Sequence, residues 1–366
     1  MQVYNDNDTL KCTVLGTWFY PEYFDSIKND NIKDPLKRVA EEIHQDLYSF
    51  ETKLREHGVQ VIRPAAPSNV YDPDNPITPA LQVRDSMKVI GSNLYKFIHT
   101  DYNLELQKVL PNFTDLVDIL SYKQNLPSSL YSKQQYNILA GSSWPSFEDF
   151  CKNNYVVHKD IQKEIELYKE SFTYDKLASP EGPNIILTDK EIIVDHHEYI
   201  DYIKRLKPYI NIDKTWRHIN THAGHTDGCF SILNSNTILG IGDIIDKCMP
   251  EYKNKIRISW NNYQKHISEF KKHKKQVGGR WWIPGQEQNS SLTNFVEQYL
   301  THLVGYVEET QFDVNLLSLD EKTVFVNTND PSYLTNNGFS IIPIQWRHRW
   351  FVDGGLHCIT LDLHRE

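Results

Sequence analysis

The sequence lacks several features that would place it in a familiar class. Its five cysteines are odd in number, far apart and without a CxxC pair, which argues against a zinc site and a disulfide framework. No apolar run approaches the roughly 18 residues of a membrane helix. The N-terminus has no basic stretch followed by an apolar segment, so no signal peptide is expected. These absences predict a cytoplasmic protein without a membrane partner, in which a thiol stays reduced.

Positive charge is also scarce. The chain has 39 Lys and Arg against 48 Asp and Glu, for a formal net charge of −9. Binding to nucleic acid needs a basic surface, so no nucleic-acid partner is expected. An acidic balance suits a small cationic substrate. With 366 residues, of which 39% are hydrophobic, the chain can form one large core, and we predict a single domain over residues 1–366.

The first hundred residues indicate a mixed α/β fold. Asp34 is suited to cap a helix, Pro35 suits its first position, and Gly58 is suited to end it. Apolar residues recur between them at helical spacing: Leu36, Val39, Ile43, Leu47, Phe50 and Leu54. The segments "TVLG" before this helix and "VQVIRP" after it predict strands.

Four segments have the pattern of tight β-hairpins, with two apolar arms around a short polar turn. They begin at Ser86, Asn184, Phe230 and Asn315. The last residues, "GGLHCITLDLHRE", add a fifth apolar strand without a return arm. Units that cannot each bury a face alone usually stack or arrange radially. Segments near 100–179 and 265–310 interrupt the pattern and are predicted insertions.

The second insertion contains a basic stretch, residues 265–286, that ends in Gly-Gly, Trp-Trp and Pro-Gly pairs. One interpretation is a solvated helix followed by a loop. The alternative is a lid, in which Gly278 and Gly279 act as a hinge for Trp281 and Trp282. The sequence leaves both open.

Residues suited to catalysis lie just before the predicted hairpins and within the last strand. They are Asp85, Glu181, His225, Asp227 and Cys358. If the hairpins share an axis, these side chains converge on it. Asp85 and Asp227 can then accept the N–H groups of a planar guanidinium.

The thiolate of Cys358 could attack the carbon atom of that guanidinium. His225, oriented by Glu181, could protonate the departing amine and then deprotonate the next nucleophile. This reaction would be covalent catalysis through an amidino-cysteine.

Each of these residues also has a purely structural interpretation. Asp85 could form a surface ion pair with Arg84, and Glu181 could be a turn residue in "SPEGPN". Cys358 could be a small apolar residue of a core strand. His357 could be its structural neighbour on the opposite face of the strand.

A metal site is the alternative for the segment "THAGHTDG". His225 and Asp227 could bind a metal together with His222, but this Gly-rich context does not suggest a helical His-x-x-x-His motif. Cys229, just after this segment, is interpreted as a packed strand residue. We therefore predict neither a metal nor a cofactor.

The C-terminal segment resembles the nucleophile motif of the glycine amidinotransferase family, in the guanidine-modifying (pentein) superfamily. Thr360, Asp362 and Arg365 follow the His-Cys pair where that pattern has them. The segments "GVQVIRP", "VRDSMKVIG", "GHTDGCF" and "NLLSLDEKTVFV" also resemble the family, in its order along the chain. The resemblance covers segments spread across nearly the whole sequence.

This resemblance implies one five-bladed α/β-propeller with pseudo-fivefold symmetry, and a possible homodimer. It implies a nucleophile, a general acid/base with its acidic partner, and two guanidinium-binding carboxylates, which are Cys358, His225, Glu181, Asp85 and Asp227. Arg84 and Asn315, in matching segments, are assigned to substrate binding.

Two departures from the family bear on the substrate. The segment "ILNSNTILGIGDIIDK" has no arginine, whereas the family has one downstream of His-x-Asp that holds a substrate carboxylate. Glu308 and Glu309 stand where the family has serines near the amino-acid substrate. Both changes remove groups suited to a carboxylate, which disfavours glycine as the acceptor.

The sequence thus predicts an amidinotransferase that moves an amidino group from arginine, or a similar guanidine, to an amine. The alternative is a deiminase of the arginine or agmatine type that hydrolyses the same intermediate. The "TLDLHR" ending favours the transferase. A third hypothesis, a catalytically silent binding protein, is disfavoured because all five catalytic positions carry competent residues.

Overall fold

The computed structural model describes residues 1–74, 77–97, 103–117, 180–195, 202–221, 225–258, 281–300, 303 and 313–366. Most of both predicted insertions therefore lies outside the described residues. So do the proposed hinge and three other residues of the sequence predictions: Gly278, Gly279, His222, Glu308 and Glu309. No helix in the described ranges combines the length and the apolar sequence needed to cross a membrane.

The described strands are short, and most have two to six residues. They are β1 Leu10–Leu15, β2 Gln60–Ile62, β3 Met87–Ile90, β4 Asn93–Lys96, β5 Thr114–Asp115, β6 Ile185–Leu187, β7 Glu191–Asp195, β8 Thr215–Ile219, β9 Phe230–Asn234, β10 Thr237–Ile241, β11 Asn254–Ile258, β12 Leu317–Ser318, β13 Thr323–Val326, β14 Ser340–Pro343 and β15 Thr360–Arg365.

Helices of very different length lie between them. The α-helices are α1 Asp30–Glu56, α2 Val83–Ser86, α3 Asn103–Val109, α4 Tyr202–Leu206, α5 Gly242–Cys248, α6 Ser290–Tyr299, α7 Ser332–Thr335 and α8 Arg349–Val352, and 3-10 turns span Pro21–Ser26, Gly182–Asn184 and Thr226–Gly228. The predicted mixed α/β class is confirmed.

The strands form five three-stranded sheets of one topology. In each sheet two strands pair antiparallel, as a hairpin in four of the five sheets, and the third strand pairs parallel with the second. The sheets are β3-β4-β5, β6-β7-β8, β9-β10-β11, β12-β13-β14 and β15-β1-β2. All four predicted hairpins are confirmed. The return arm that the final strand lacked is β1, from the other end of the chain.

Helix α1 begins earlier than predicted. The side chain of Asn29 accepts a hydrogen bond from the backbone N–H of Asn31 at 3.0 Å, and this cap starts the helix at Asp30. Pro35 consequently lies inside the helix, so the predicted start at Asp34 was wrong. The predicted end is confirmed, because α1 stops at Glu56 and Gly58 follows with φ of +80°. Every apolar position predicted for this helix is buried.

Two parts of the predicted insertions belong to the sheets or the core instead. Strand β5 lies within residues 100–179 and completes the sheet of β3 and β4. Trp281 is buried against Phe351, with ring centroids 5.8 Å apart, and its indole N–H donates to Glu297 of α6 at 2.7 Å. A tryptophan that is buried and hydrogen-bonded in this way is a core residue, which argues against the interpretation that Trp281 belongs to a lid.

A buried ion cluster ties β15 to its neighbours. Asp362 accepts hydrogen bonds from Arg84 and Arg365, each at 2.8 Å, and all three side chains are almost fully buried. Arg365 also donates to the carbonyl of Ser318 in β12. Burial acts to raise the pKa of Asp362, but the two guanidinium groups outweigh it and hold that pKa far below its ordinary value. The last strand is thereby attached to two other sheets.

Replacement of this carboxylate tests how much the cluster stabilises the fold. We expect Asp362→Asn to lower the free energy of unfolding by about 3–5 kcal/mol, because it leaves two buried guanidinium groups without a counter-charge. Urea denaturation followed by circular dichroism measures this change. Asp213→Asn, at an exposed bend, is the matched control and should lie near the parent protein. Equal stability of the two variants would contradict the assignment.

Candidate active site

The predicted residues share one position in the topology, the short turn that precedes the first strand of each sheet. Asp85 lies in α2 before β3, and Glu181 lies directly before the Gly182–Asn184 turn and β6. His225 and Asp227 occupy the turn before β9, and Cys358 lies two residues before β15. In these four sheets the backbone before the first strand thus carries the site residues at an equivalent position.

His225 is held by two carboxylates. Its Nε2 atom is 2.5 Å from Oε2 of Glu181, and its Nδ1 atom is 3.9 Å from Oδ1 of Asp85. Burial acts to lower the pKa of His225, but the charges of Glu181 and Asp85 and the hydrogen bond to Glu181 raise it well above its ordinary value. The imidazole is therefore protonated at neutral pH and can act as an acid.

Asp85 and Asp227 differ strongly in acidity although they face the same site. Burial, and then the charges of Glu181 and Asp227, raise the pKa of Asp85 to about 8 against the opposing effect of His225. Burial also acts to raise the pKa of Asp227, but a 2.7 Å hydrogen bond from Nδ1 of His357 and the nearby positive charges lower it to about 2. Asp227 is ionised, while Asp85 retains its proton until a cation arrives.

Each of these two carboxyl groups also has one unused oxygen. Oδ1 of Asp85 and Oδ1 of Asp227 are buried and have no hydrogen-bond partner among the described residues. Buried oxygens without partners are costly, and N–H groups of a bound ligand would relieve that cost. The pair is suited to a planar cation with several N–H donors.

The side chain of Asn315 contacts Cys358 and the turn around it. Its amide nitrogen donates to Sγ of Cys358 at 3.1 Å and to the carbonyl of Asp227 at 3.2 Å. Its amide oxygen accepts from the backbone N–H groups of His357 and Cys358. Gly355 permits this contact, since a Cβ atom there would lie 2.3 Å from Oδ1 of Asn315. Asn315 was predicted to bind substrate, but its amide is occupied by the protein and positions Cys358.

The surroundings of Cys358 favour its thiol form. Its Sγ atom is 3.8 Å from Oδ2 of Asp227. Burial and the charges of Asp227 and Asp85 raise the pKa of Cys358 well above its ordinary value, against the smaller opposing effect of hydrogen bonds from Gly355 and Asn315. A cation bound between the two carboxylates would cancel the repulsion that opposes ionisation.

Arg84 departs from its predicted role. Its side chain is 1% exposed, and it donates to the carbonyl of His357 at 2.9 Å and to Asp362. These contacts lie behind the turn that carries Cys358. The structure therefore makes Arg84 a support of that turn and not a substrate ligand. The alternative of a surface ion pair between Arg84 and Asp85 is also wrong.

Sequence reasoning missed several supporting residues. His357 was interpreted as a structural neighbour of Cys358, yet its Nδ1 atom donates to Asp227. Burial and then the charge of Arg84 lower the pKa of His357, so it donates as a neutral imidazole. Thr226 is held by Asn184 at 3.1 Å and by Asp195 at 3.0 Å, which fixes the turn of His225 and Asp227. No local motif marks these partners, because each contact joins distant segments.

Glu181 and Asp85 lie on turns that pack backbone to backbone. A Cβ atom on Gly182 would lie 2.0 Å from the carbonyl oxygen of Arg84, so only glycine permits this approach. The glycine after Glu181 in "SPEGPN" was the one local signal of this contact.

The same cluster offers ligands to a metal ion. Side-chain atoms of Asp85, Glu181 and His225 lie within 4.8 Å of one another. Binding of a metal would require a neutral His225 and would compete with the 2.5 Å contact between its Nε2 atom and Glu181.

Comparison with known proteins agrees with this picture at the level of the fold. The inosamine-phosphate amidinotransferase StrB1 from Streptomyces griseus aligns over 100% of this chain and 96% of its own, with 15% identity and a TM-score of 0.56. SxtG, an amidinotransferase from Microseira wollei in the saxitoxin biosynthetic pathway, aligns over 100% and 97%, with 16% identity and a TM-score of 0.58.

No protein-family model and no curated protein sequence matches the chain. The structural likeness nevertheless confirms that the chain has the fold of these amidinotransferases, as the sequence resemblance predicted.

The raised pKa of the thiol gives a direct test of the site. We expect Asp85→Asn to lower the pKa of Cys358, because it removes a negative charge that opposes thiolate formation. The pH dependence of alkylation by iodoacetamide, read at Cys358 by peptide mass spectrometry, measures the shift. Asp246→Asn, at an exposed carboxylate, is the control. An unchanged or higher pKa in Asp85→Asn would show that Asp85 does not act on the thiol.

Proposed function

We propose that this chain is a guanidine-modifying enzyme, and specifically an amidinotransferase that moves an amidino group from arginine or a similar guanidine to an amine. One observation carries the proposal. The buried thiol of Cys358 lies 3.8 Å from Asp227 and feels the charge of Asp85, and each of these carboxyl groups has an oxygen without a hydrogen-bond partner among the described residues. The fold shared with two amidinotransferases supports it.

We also propose that the five sheets form one domain, arranged as a five-bladed propeller. Their common topology supports this arrangement, as does the equivalent position of the site residues before the first strand of each sheet. A radial arrangement explains why residues so far apart in sequence meet.

In the first step the guanidinium cation binds between Asp85 and Asp227. Asp85, with a pKa of about 8, releases its proton to solvent as the cation takes its place. The added positive charge lowers the pKa of Cys358, which loses its proton to solvent. Both carboxylates then accept N–H groups and keep the guanidinium protonated, which preserves its carbon as an electrophile.

In the second step Sγ of Cys358 forms a bond to the guanidinium carbon. The bond from that carbon to the substituted nitrogen breaks, and His225 passes its proton to the departing amine. The product is an amidino group attached to Cys358. Glu181 stabilises the imidazolium before this transfer and orients the ring after it.

In the third step an acceptor amine replaces the departed one. The neutral His225 takes a proton from the acceptor, whose nitrogen attacks the amidino carbon and breaks the bond to Sγ. The new guanidinium leaves, and the thiolate and the imidazolium are restored. Water in place of the amine would give the deiminase reaction.

Labelled arginine tests the reaction. Incubation with arginine carrying label in the guanidino carbon, with and without a panel of amines, should give ornithine and label on an amine. Cys358→Ala should abolish the transfer and keep the circular dichroism spectrum, while Cys12→Ala should keep both. Citrulline formed independently of amine would favour the deiminase. Absence of turnover and of label on Cys358, across arginine and simple alkylguanidines, would refute both.

The pH dependence of turnover tests the role of His225. Its pKa is raised by Glu181, so the acid form is present at neutral pH and is lost as pH rises through that pKa. Glu181→Gln removes the charge and should move the alkaline limb of the kcat profile to lower pH. Glu321→Gln, at an exposed position, should leave the profile unchanged. A limb that does not move would exclude His225 as the group that titrates there.

A further inference from the structure

His357, the residue before the nucleophile, is fixed through both of its backbone groups. Its N–H donates to Oδ1 of Asn315 at 3.0 Å, and its carbonyl accepts from Nε of Arg84 at 2.9 Å. From this position its Nδ1 atom lies 2.7 Å from Oδ2 of Asp227. The imidazole is therefore held against Asp227 by the fold itself.

The contact with His357 makes the two oxygens of Asp227 different. Oδ2 accepts the hydrogen bond of the imidazole, whereas Oδ1 is buried and has no hydrogen-bond partner among the described residues. Rotation of the carboxylate would break the bond from His357. Oδ1 is therefore the oxygen that remains for a ligand, and its direction is set by His357.

The charge state of His357 decides how strongly Asp227 attracts a cation. An ionised carboxylate can only accept hydrogen bonds, so Nδ1 carries the hydrogen atom. A neutral imidazole stabilises the carboxylate and leaves its negative charge uncancelled, whereas an imidazolium would form an ion pair with it. Burial and then the charge of Arg84 lower the pKa of His357, against the opposing effects of Asp227 and Asp362. The ring is thus neutral at neutral pH.

Ionisable groups lie around His357, in contact with it or across the cavity that it lines. They are Asp227 before β9, Arg84 in α2, Asp362 and Arg365 in β15, Lys88 in β3, and Asp6. Lys88 is bound to Asp6 at 2.9 Å, and Arg365 is bound to Asp362 at 2.8 Å. Because those charges are paired with one another, Arg84 and Asp227 are the charged groups that act most on His357.

We propose that His357 is a positioning residue for the guanidinium, which as a neutral donor turns one oxygen of Asp227 toward the ligand and leaves the carboxylate its charge. The inference rests on the proposed function and adds a condition to it. Protonation of His357 would supply the site with a cation of its own. Affinity for a guanidinium is therefore present above the pKa of His357 and is lost as pH falls through it.

Binding of a simple alkylguanidine at different pH values tests this condition. Calorimetric titration of butylguanidine into Cys358→Ser, which cannot form the amidino-cysteine, measures affinity without turnover between about pH 5 and 8. Asp85 must release a proton when the cation binds, so affinity falls with pH in every variant. Below the pKa of His357 we expect Cys358→Ser to lose a further factor of about ten per pH unit, because a second proton must leave.

Two substitutions in the Cys358→Ser background separate the hydrogen bond from the titration. His357→Asn keeps a neutral N–H donor near the position of Nδ1 and cannot be protonated, so it should lack the further loss at low pH. His357→Leu removes the donor and lets the pKa of Asp227 rise, so it should bind about tenfold more weakly at neutral pH. His357→Gln, a longer neutral amide, repeats the test if His357→Asn does not fold.

The exposed His57 supplies the matched control, since His57→Asn should follow Cys358→Ser at every pH. The same pH dependence in His357→Asn and in this control would overturn the inference, because the titration of His357 would then not act on the ligand. Unchanged affinity of His357→Leu at neutral pH would overturn it as well.

The outcomes also separate this inference from the proposed function. If butylguanidine binds to all of these variants with one pH dependence, the role of His357 is refuted and the guanidinium site stands. If neither butylguanidine nor arginine binds to Cys358→Ser at any pH, and the parent protein gains no amidino group on Cys358, the proposed function itself is refuted.

Discussion

The contact of Asp362 with Arg84 and Arg365 is the interaction on which the rest of the site depends. Cys358 lies in a turn before β15, and nothing in that turn pairs as a strand. Arg84 holds it through the carbonyl of His357, and Asp362 holds Arg84. Because Arg84 is also next to Asp85 in sequence, its guanidinium links the turn of Cys358 to the turn of Asp85. Buried ion pairs contribute little net stability as a rule, but they define geometry well.

The second constraint is electrostatic. Several carboxyl groups share a dry site, so they cannot all be ionised at once at low cost. Their environments give them different pKa values. His357 stabilises the charge of Asp227, while Asp85 remains protonated at neutral pH. Burial and the negative charge of Asp227 keep Cys358 as a thiol. These carboxyl groups therefore oppose ionisation of Cys358, and a cation bound beside them would favour its thiolate.

Much of this could be predicted from sequence because the signals were local. Hairpin turns, apolar arms and the residues before them are all read within about a dozen positions. The contacts that could not be predicted are non-local. The pairing of β1 with β15 and the inward contacts of Arg84 join segments hundreds of residues apart, and Asn315 contacts Cys358 across 43 residues. The predicted start of α1 was wrong for a different reason. Asn29 and Asp34 are both acceptable caps, and only the packed structure selects one.

The pairing of β1 with β15 has a consequence for how the protein acquires activity. Thr9 and Glu366 each donate a backbone N–H to the carbonyl of the other. The sheet that contains the first strand of the chain is therefore completed by the last strand. Contacts of such long range form late in folding, since the loop they close is costly in entropy. Until then β1 has an open edge, and β15, which begins two residues after Cys358, has no paired strand. The surroundings of Cys358 are therefore complete only when the two ends of the chain have met.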